Sequence, residues 1–188
     1  MKKVLIISIL VILIQQSNSA TIYNKHILIK KIQKIKEKEK KLLKLQLNKE
    51  KFNETVEFIK SHEGFRSKIY KDTKGYKTIG YGFIIAYLKP SERVFLTKKQ
   101  SDLIIRRKLH DNIRDAKKKY PNLTYLQLLA VAHLAYGKGF GTIRQHKLHE
   151  QLKLGKIKTK DWILFGINEI KYPKYKTNRI YEFTLFIL

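Results

Sequence analysis

Two isolated acids stand on a basic ribbon in EGFRSKIYKDTKGYKTIGYG, the stretch from Glu63 to Gly82. They are Glu63 and Asp72, and Thr78 lies near the glycine-rich end of the same stretch. A carboxylic acid at the end of an apolar helix can have its pKa raised by partial burial, and then donates a proton near neutral pH. A second carboxylate on an adjacent strand can position a water, and a threonine hydroxyl can hold that water from the other side. Two carboxylates flanking a sugar ring, with room for water between them, can hydrolyse a glycosidic bond with inversion. Each residue also has an ordinary alternative. Glu63 can be a solvated acid or ion-pair partner, Asp72 in YKDTKG a turn former, and Thr78 a plain strand residue. Spacing alone leaves glycoside hydrolysis as one hypothesis among several.

The elements around these residues can be read locally. NETVEFIKSHEGF predicts a short helix with Val56 and Ile59 on one face and Phe58 beside them, ending near Gly64. SKIYKDTKGYKTIGYGFI is rich in Ile, Tyr and Thr and is punctuated by Gly75, Gly80 and Gly82, which predicts a small antiparallel sheet with tight turns. Beyond Thr97 the chain reads as helical. Thr97 with Gln100 forms a capping box that opens a helix to about Lys118. Thr124 with Gln127 opens YLQLLAVAHLAY, which is apolar nearly all round and belongs in the centre of a domain. Gly137, Gly139 and Gly141 are expected to end it. Short helices are expected over 142–153, 160–168 and 176–187. A small sheet followed by helices is an α+β arrangement, a sheet lobe beside a larger helical lobe.

Glu63, Gly64, Tyr70, Asp72, Gly75, Thr78, Ile79, Gly80 and Gly82 together reproduce the pattern Glu-Gly, Tyr, Asp, Gly and Thr-Ile-Gly-x-Gly. With every gap kept, this resembles the active-site signature of phage-type lysozymes, glycoside hydrolase family twenty-four, and within it the T-even phage type. The resemblance implies a lysozyme-like fold. It also implies cleavage of the β-1,4 bond between N-acetylmuramic acid and N-acetylglucosamine in peptidoglycan, without a cofactor. It makes Glu63 the general acid, with Asp72 and Thr78 placing the attacking water. Tyr70, Gly82 and Arg179 are the expected substrate-binding or supporting residues. LTKKQSDLIIRRKL and LQLLAVAHLAYGKGFGTI resemble the helix that leaves the small lobe and the central helix. KTNRIYEF resembles a family segment in which an arginine faces the catalytic glutamate, which points to Arg179. The chain departs from the pattern at Phe83, where members often carry histidine, at Ala135 in place of an asparagine, and over 84–95.

The rest of the chain sets the context. Of 188 residues, 43% are apolar, enough to bury a core, and the formal charge is +26. That charge suits polyanionic surroundings such as anionic wall polymers or a membrane surface. No nucleic-acid recognition motif appears, so nucleic acid is not an expected partner, and a monomer is expected. There is no cysteine. The histidines make no spacing suited to a metal. MKK, the apolar run Val4–Ile14 and QQSNSA form the three-part pattern of a secretory signal over 1–20, which predicts export to the periplasm or medium. Residues 21–50 read as a basic helical linker, since 25–50 lacks glycine and proline and carries an apolar stripe opposite lysines. A lysozyme domain would then occupy 51–188. Trp162 and Tyr136 can stack on sugars or pack in the core. The competing expectation is a lysozyme-like fold without catalysis, acting as a basic wall- or membrane-binding antibacterial protein.

Overall fold

Residues 25–63 contain neither glycine nor proline, and a single helix, α1 (Ile22–Glu63), runs through them. The two helices expected over 25–50 and 53–64 are therefore one, because nothing in the sequence interrupts the backbone ladder between them. The computed structural model describes residues 22–73, 75–163, 165 and 173–188. The expected signal segment lies outside the described residues. Two compact units divide the chain, one up to Lys49 and one from Glu50 to Leu188. In the first unit the described residues form the leading part of α1, and its Ile35, Leu42, Leu43 and Leu45 are exposed.

Among the described residues, the second unit holds every other element. After α1 come three short antiparallel strands, β1 (Arg66–Lys71), β2 (Lys77–Gly80) and β3 (Phe83–Ile84), in the spatial order β1-β2-β3. Their register pairs Tyr70 with Thr78, and Thr78 with Ile84. Gly80 closes β2 at φ +67°, and a Cβ there would lie 2.8 Å from the Phe83 ring and 2.9 Å from Ser101 Oγ. Only glycine permits both that backbone angle and that approach. Short 3₁₀ turns at Ile85–Tyr87 and Pro90–Glu92 then lead into the helices.

Both capping boxes form. Thr97 opens α2 (Lys98–Lys119) and Thr124 opens α3 (Tyr125–Arg144), each threonine accepting the N–H of the glutamine three residues on. Each glutamine side chain in turn accepts from its threonine's backbone N–H, at 2.9 Å for Gln100 and 3.0 Å for Gln127. α3 does not stop at its glycines. It kinks at Gly139, which is non-helical, and resumes to Arg144. Beyond it lie α4 (Leu148–Leu154), α5 (Thr159–Ile163) and α6 (Pro173–Ile187). α4 starts six residues later than the short helix expected from 142, since Thr142 and Arg144 still belong to α3.

α3 is the axis of the core. Its Leu129, Ala130, Val131, Ala132 and Leu134 are fully buried, and it packs against α2 and α6. Small and branched apolar residues around the whole circumference are what a central helix requires. Trp162 and Ile143 are buried in the same core. Phe83 is buried too, with Lys108 Nζ 5.9 Å from its ring centroid, so a buried aromatic ring with a cation over it stands at the histidine position of the signature.

Candidate active site

Glu63 is the last residue of α1, and the terminal turns of that helix are tied down on two sides. On one side, Lys60 Nζ reaches Asp102 Oδ1 at 3.2 Å, and Arg106 of α2 joins Asp102 to Asn53 through bonds of 2.7 and 2.8 Å. On the other, Phe58 stacks on Tyr181 of α6 with centroids 4.0 Å apart, and Thr55 Oγ1 meets the Tyr181 hydroxyl at 2.9 Å. Val56 and Ile59 are buried beneath. His62 stacks on Phe58 and bonds its carbonyl at 2.9 Å, a structural role. Glu63 itself is exposed as a residue, not partly buried as its place after an apolar turn suggests. The helix ends there, and the side chain reaches into an open cavity rather than into the core.

That cavity has a volume of about 520 Å³. Glu63, Tyr70, Asp72, Thr78, Gly82 and Arg179 all line it, although they come from α1, the sheet and α6. The β1–β2 turn fixes Asp72: its N–H donates to the Tyr76 carbonyl at 3.0 Å, and its Oδ1 accepts the Tyr76 N–H at 2.9 Å. Thr78 is 2% exposed and its hydroxyl donates to the same Tyr76 carbonyl at 3.0 Å. With its hydrogen so committed, Thr78 Oγ1 offers lone pairs, and a water lying there must donate to it. Gly82 sits at φ +79°, and a Cβ on it would stand 3.5 Å from Glu63 Oε2, so the backbone borders the acid closely.

Two tyrosines report the field of the acids. Burial pushes the Tyr70 phenol up; the Arg66 guanidinium, 4.4 Å over its ring, opposes this, and the negative charges of Glu63 and Asp72 reinforce it. Tyr70 thus feels both carboxylates. Tyr136 is pushed up by burial first and then by Glu63 and Tyr70, and its hydroxyl donates to the Tyr81 carbonyl at 3.3 Å. Tyr136 is a wall of the cavity, whereas Trp162 is wholly buried.

The helical wall carries a group that the sequence reading passes over. Glu182 is 1% exposed. Its Oε1 accepts from His133 Nδ1 at 2.8 Å, and its Oε2 accepts from Trp162 Nε1 at 3.3 Å and from Arg179 Nη1. Arg179 therefore lines the cavity with Glu182 as a carboxylate partner. Charge-assisted bonds of this kind are what let an acid and a guanidinium be buried together. The available signal was Arg179 and Glu182 three apart on one helix, the last acid of a basic chain.

The family described as phage lysozyme matches residues 60–164. The chain belongs to that family. The matched span holds Glu63, Tyr70, Asp72, Thr78 and Gly82, while Arg179 and Glu182 lie beyond it. Solved structures share the lysozyme fold. The muramidase domain of SpmX from Asticaccaulis excentricus is 20% identical, with a TM-score of 0.56, covering 71% of this chain and 95% of its own. A mutant of the P22 lysozyme is 20% identical, with a TM-score of 0.50 and coverage of 72% and 96%. An endolysin from the Escherichia coli O157:H7 phage FAHEc1 is 16% identical, with a TM-score of 0.52 and coverage of 70% and 89%. Among curated proteins no sequence matches.

Proposed function

We propose that this phage-type lysozyme is an endolysin that cleaves the β-1,4 bond between N-acetylmuramic acid and N-acetylglucosamine in peptidoglycan. One observation carries the reading: Glu63, Asp72 and Thr78, from a helix end, a turn and a strand, line one cavity. Glu63 protonates the leaving O4 of N-acetylglucosamine as the C1–O4 bond breaks. A glycan strand lying over Glu63 would exclude bulk water from the place where the proton is transferred. The attacking water donates to Asp72 and to Thr78 Oγ1, which directs a lone pair at the anomeric carbon. Its proton passes to Asp72, and the sugar leaves as the α-anomer in a single displacement.

The charge of +26 draws the enzyme to anionic wall polymers. Residues 1–20 are proposed to export it and to be removed after Ser19 or Ala20. N-terminal sequencing of the secreted protein should then begin at Ala20 or Thr21, and an intact Met1 would refute cleavage.

Catalysis is tested by clearing of peptidoglycan suspensions. Glu63→Gln keeps the size of the side chain but cannot donate the proton, and should lower turnover by about 10²–10⁴-fold. A smaller loss would remove Glu63 from the general-acid role. NMR of the wild-type reaction before mutarotation should show the α-anomer first.

A further inference from the structure

The turn that holds Asp72 and Thr78 does so through the backbone of Tyr76. The Tyr76 N–H donates to Asp72 Oδ1 at 2.9 Å, and its carbonyl accepts from Asp72 N–H and Thr78 Oγ1, each at 3.0 Å. None of these three bonds uses the side chain. Tyr76 nevertheless lines the cavity, and the residue is 53% exposed. A large aromatic ring left half open beside the site, on a frame pinned by three hydrogen bonds, contributes little to the core. It has few rotamers to lose when something lies on it, which suits a ligand platform.

We propose that the Tyr76 ring is a stacking platform for one pyranose ring of the glycan strand. This rests on the reading of the cavity as a peptidoglycan site. In β-linked N-acetylhexosamines the ring substituents are equatorial, so the axial C–H groups leave both faces apolar. The face of a phenol ring covers such a surface without reading its hydroxyls. The same backbone bonds that place Asp72 and Thr78 set the Cα of Tyr76, so the platform and the water-holding pair move as one piece. A sugar stacked there is held in register with the group that attacks its neighbour.

The backbone role survives any non-proline substitution, so the ring can be tested apart from the fold. The probe is a soluble, peptide-free peptidoglycan glycan strand. Covering about half an aromatic face removes enough apolar area for Tyr76→Ala to raise KM about tenfold, with kcat within about twofold. Tyr76→Phe and Tyr76→Trp should keep KM within about threefold, and all three variants should melt like the wild type. Equilibrium binding of the same strand to Glu63→Gln and to Glu63→Gln with Tyr76→Ala should show the same weakening without turnover. An unchanged affinity in Tyr76→Ala would overturn the platform. So would a Tyr76→Phe variant as impaired as Tyr76→Ala, since the hydroxyl would then be acting. Wild-type protein that binds the strand through Tyr76 but never cleaves it would refute the hydrolase reading and leave the platform standing.

Discussion

On the sheet side of the cavity, Asp72 and Thr78 are held by the main chain of Tyr76 at 2.9 to 3.0 Å, and Glu63 stands exposed at a helix end. On the helical side, Glu182 is 1% exposed and is held by three side chains, His133, Trp162 and Arg179. The first wall places its chemistry through a turn whose cost is local. The second buries charge, and every partner there is needed to offset the loss of water. Substitutions on the two walls should therefore be felt in different measurements.

Glu63→Gln gives the sharpest form of this contrast. It should lose about 10²–10⁴ in turnover while melting at the wild-type temperature, because an exposed side chain at a helix end supports little packing. Glu182→Ala should do the reverse. It leaves Arg179 buried without this carboxylate and removes the acceptor of His133 and Trp162, which costs about 3–5 kcal/mol of stability. Urea unfolding measures it. Activity of the folded fraction should fall far less than in Glu63→Gln. A Glu182→Ala protein as stable as the wild type would mean that the helical wall is as open as the sheet wall. The platform proposed for Tyr76 is weaker than either effect, about tenfold in KM.

How far the sequence reveals each wall follows from the range of the contacts. Glu63 to Gly82 is one helix end and one hairpin. Register pairs Tyr70 with Thr78, and the turn returns Asp72 to the same place, so nearly all of that wall lies in a continuous string. Helix starts were equally local, since Thr97 and Thr124 each need only a glutamine three residues on. The exposure of Glu63 was not legible, because it depends on what does not cover the helix end. Nor was the Glu182 cluster. Its members His133 and Trp162 lie on other helices, brought together only by packing of α3, α5 and α6. The glycines after Tyr136 misled for a related reason. Glycine marks where a helix can bend, and here the packing of Ile143 beyond the kink at Gly139 lets the helix resume.

The smallest expected effect sharpens the comparison from outside the cavity, in the atypical stretch 84–95. Arg107 of α2 grips Glu92 with both guanidinium nitrogens, Nη1 to Oε1 at 2.7 Å and Nη2 to Oε2 at 2.8 Å. That bond, against the opposing effect of burial and helped by the Lys89 N–H, holds the Glu92 carboxyl below the usual range. A lowered folded pKa stabilises the protein above the unfolded value of about 4.3, and the gain disappears as pH falls through the folded value. The Arg107 side chain is 36% exposed, so solvent screens the pair and its worth is about 1 kcal/mol or less. Glu92→Gln should therefore be slightly less stable than the wild type at pH 7, and the two should converge once the pH has fallen through the folded value of Glu92. If the gap persisted at low pH, the pair would matter through the shape of the turn rather than its charge. The stretch would then be held as the sheet wall is, by geometry. Convergence would place it with the helical wall in kind, an ion pair, but weaker because water still reaches it.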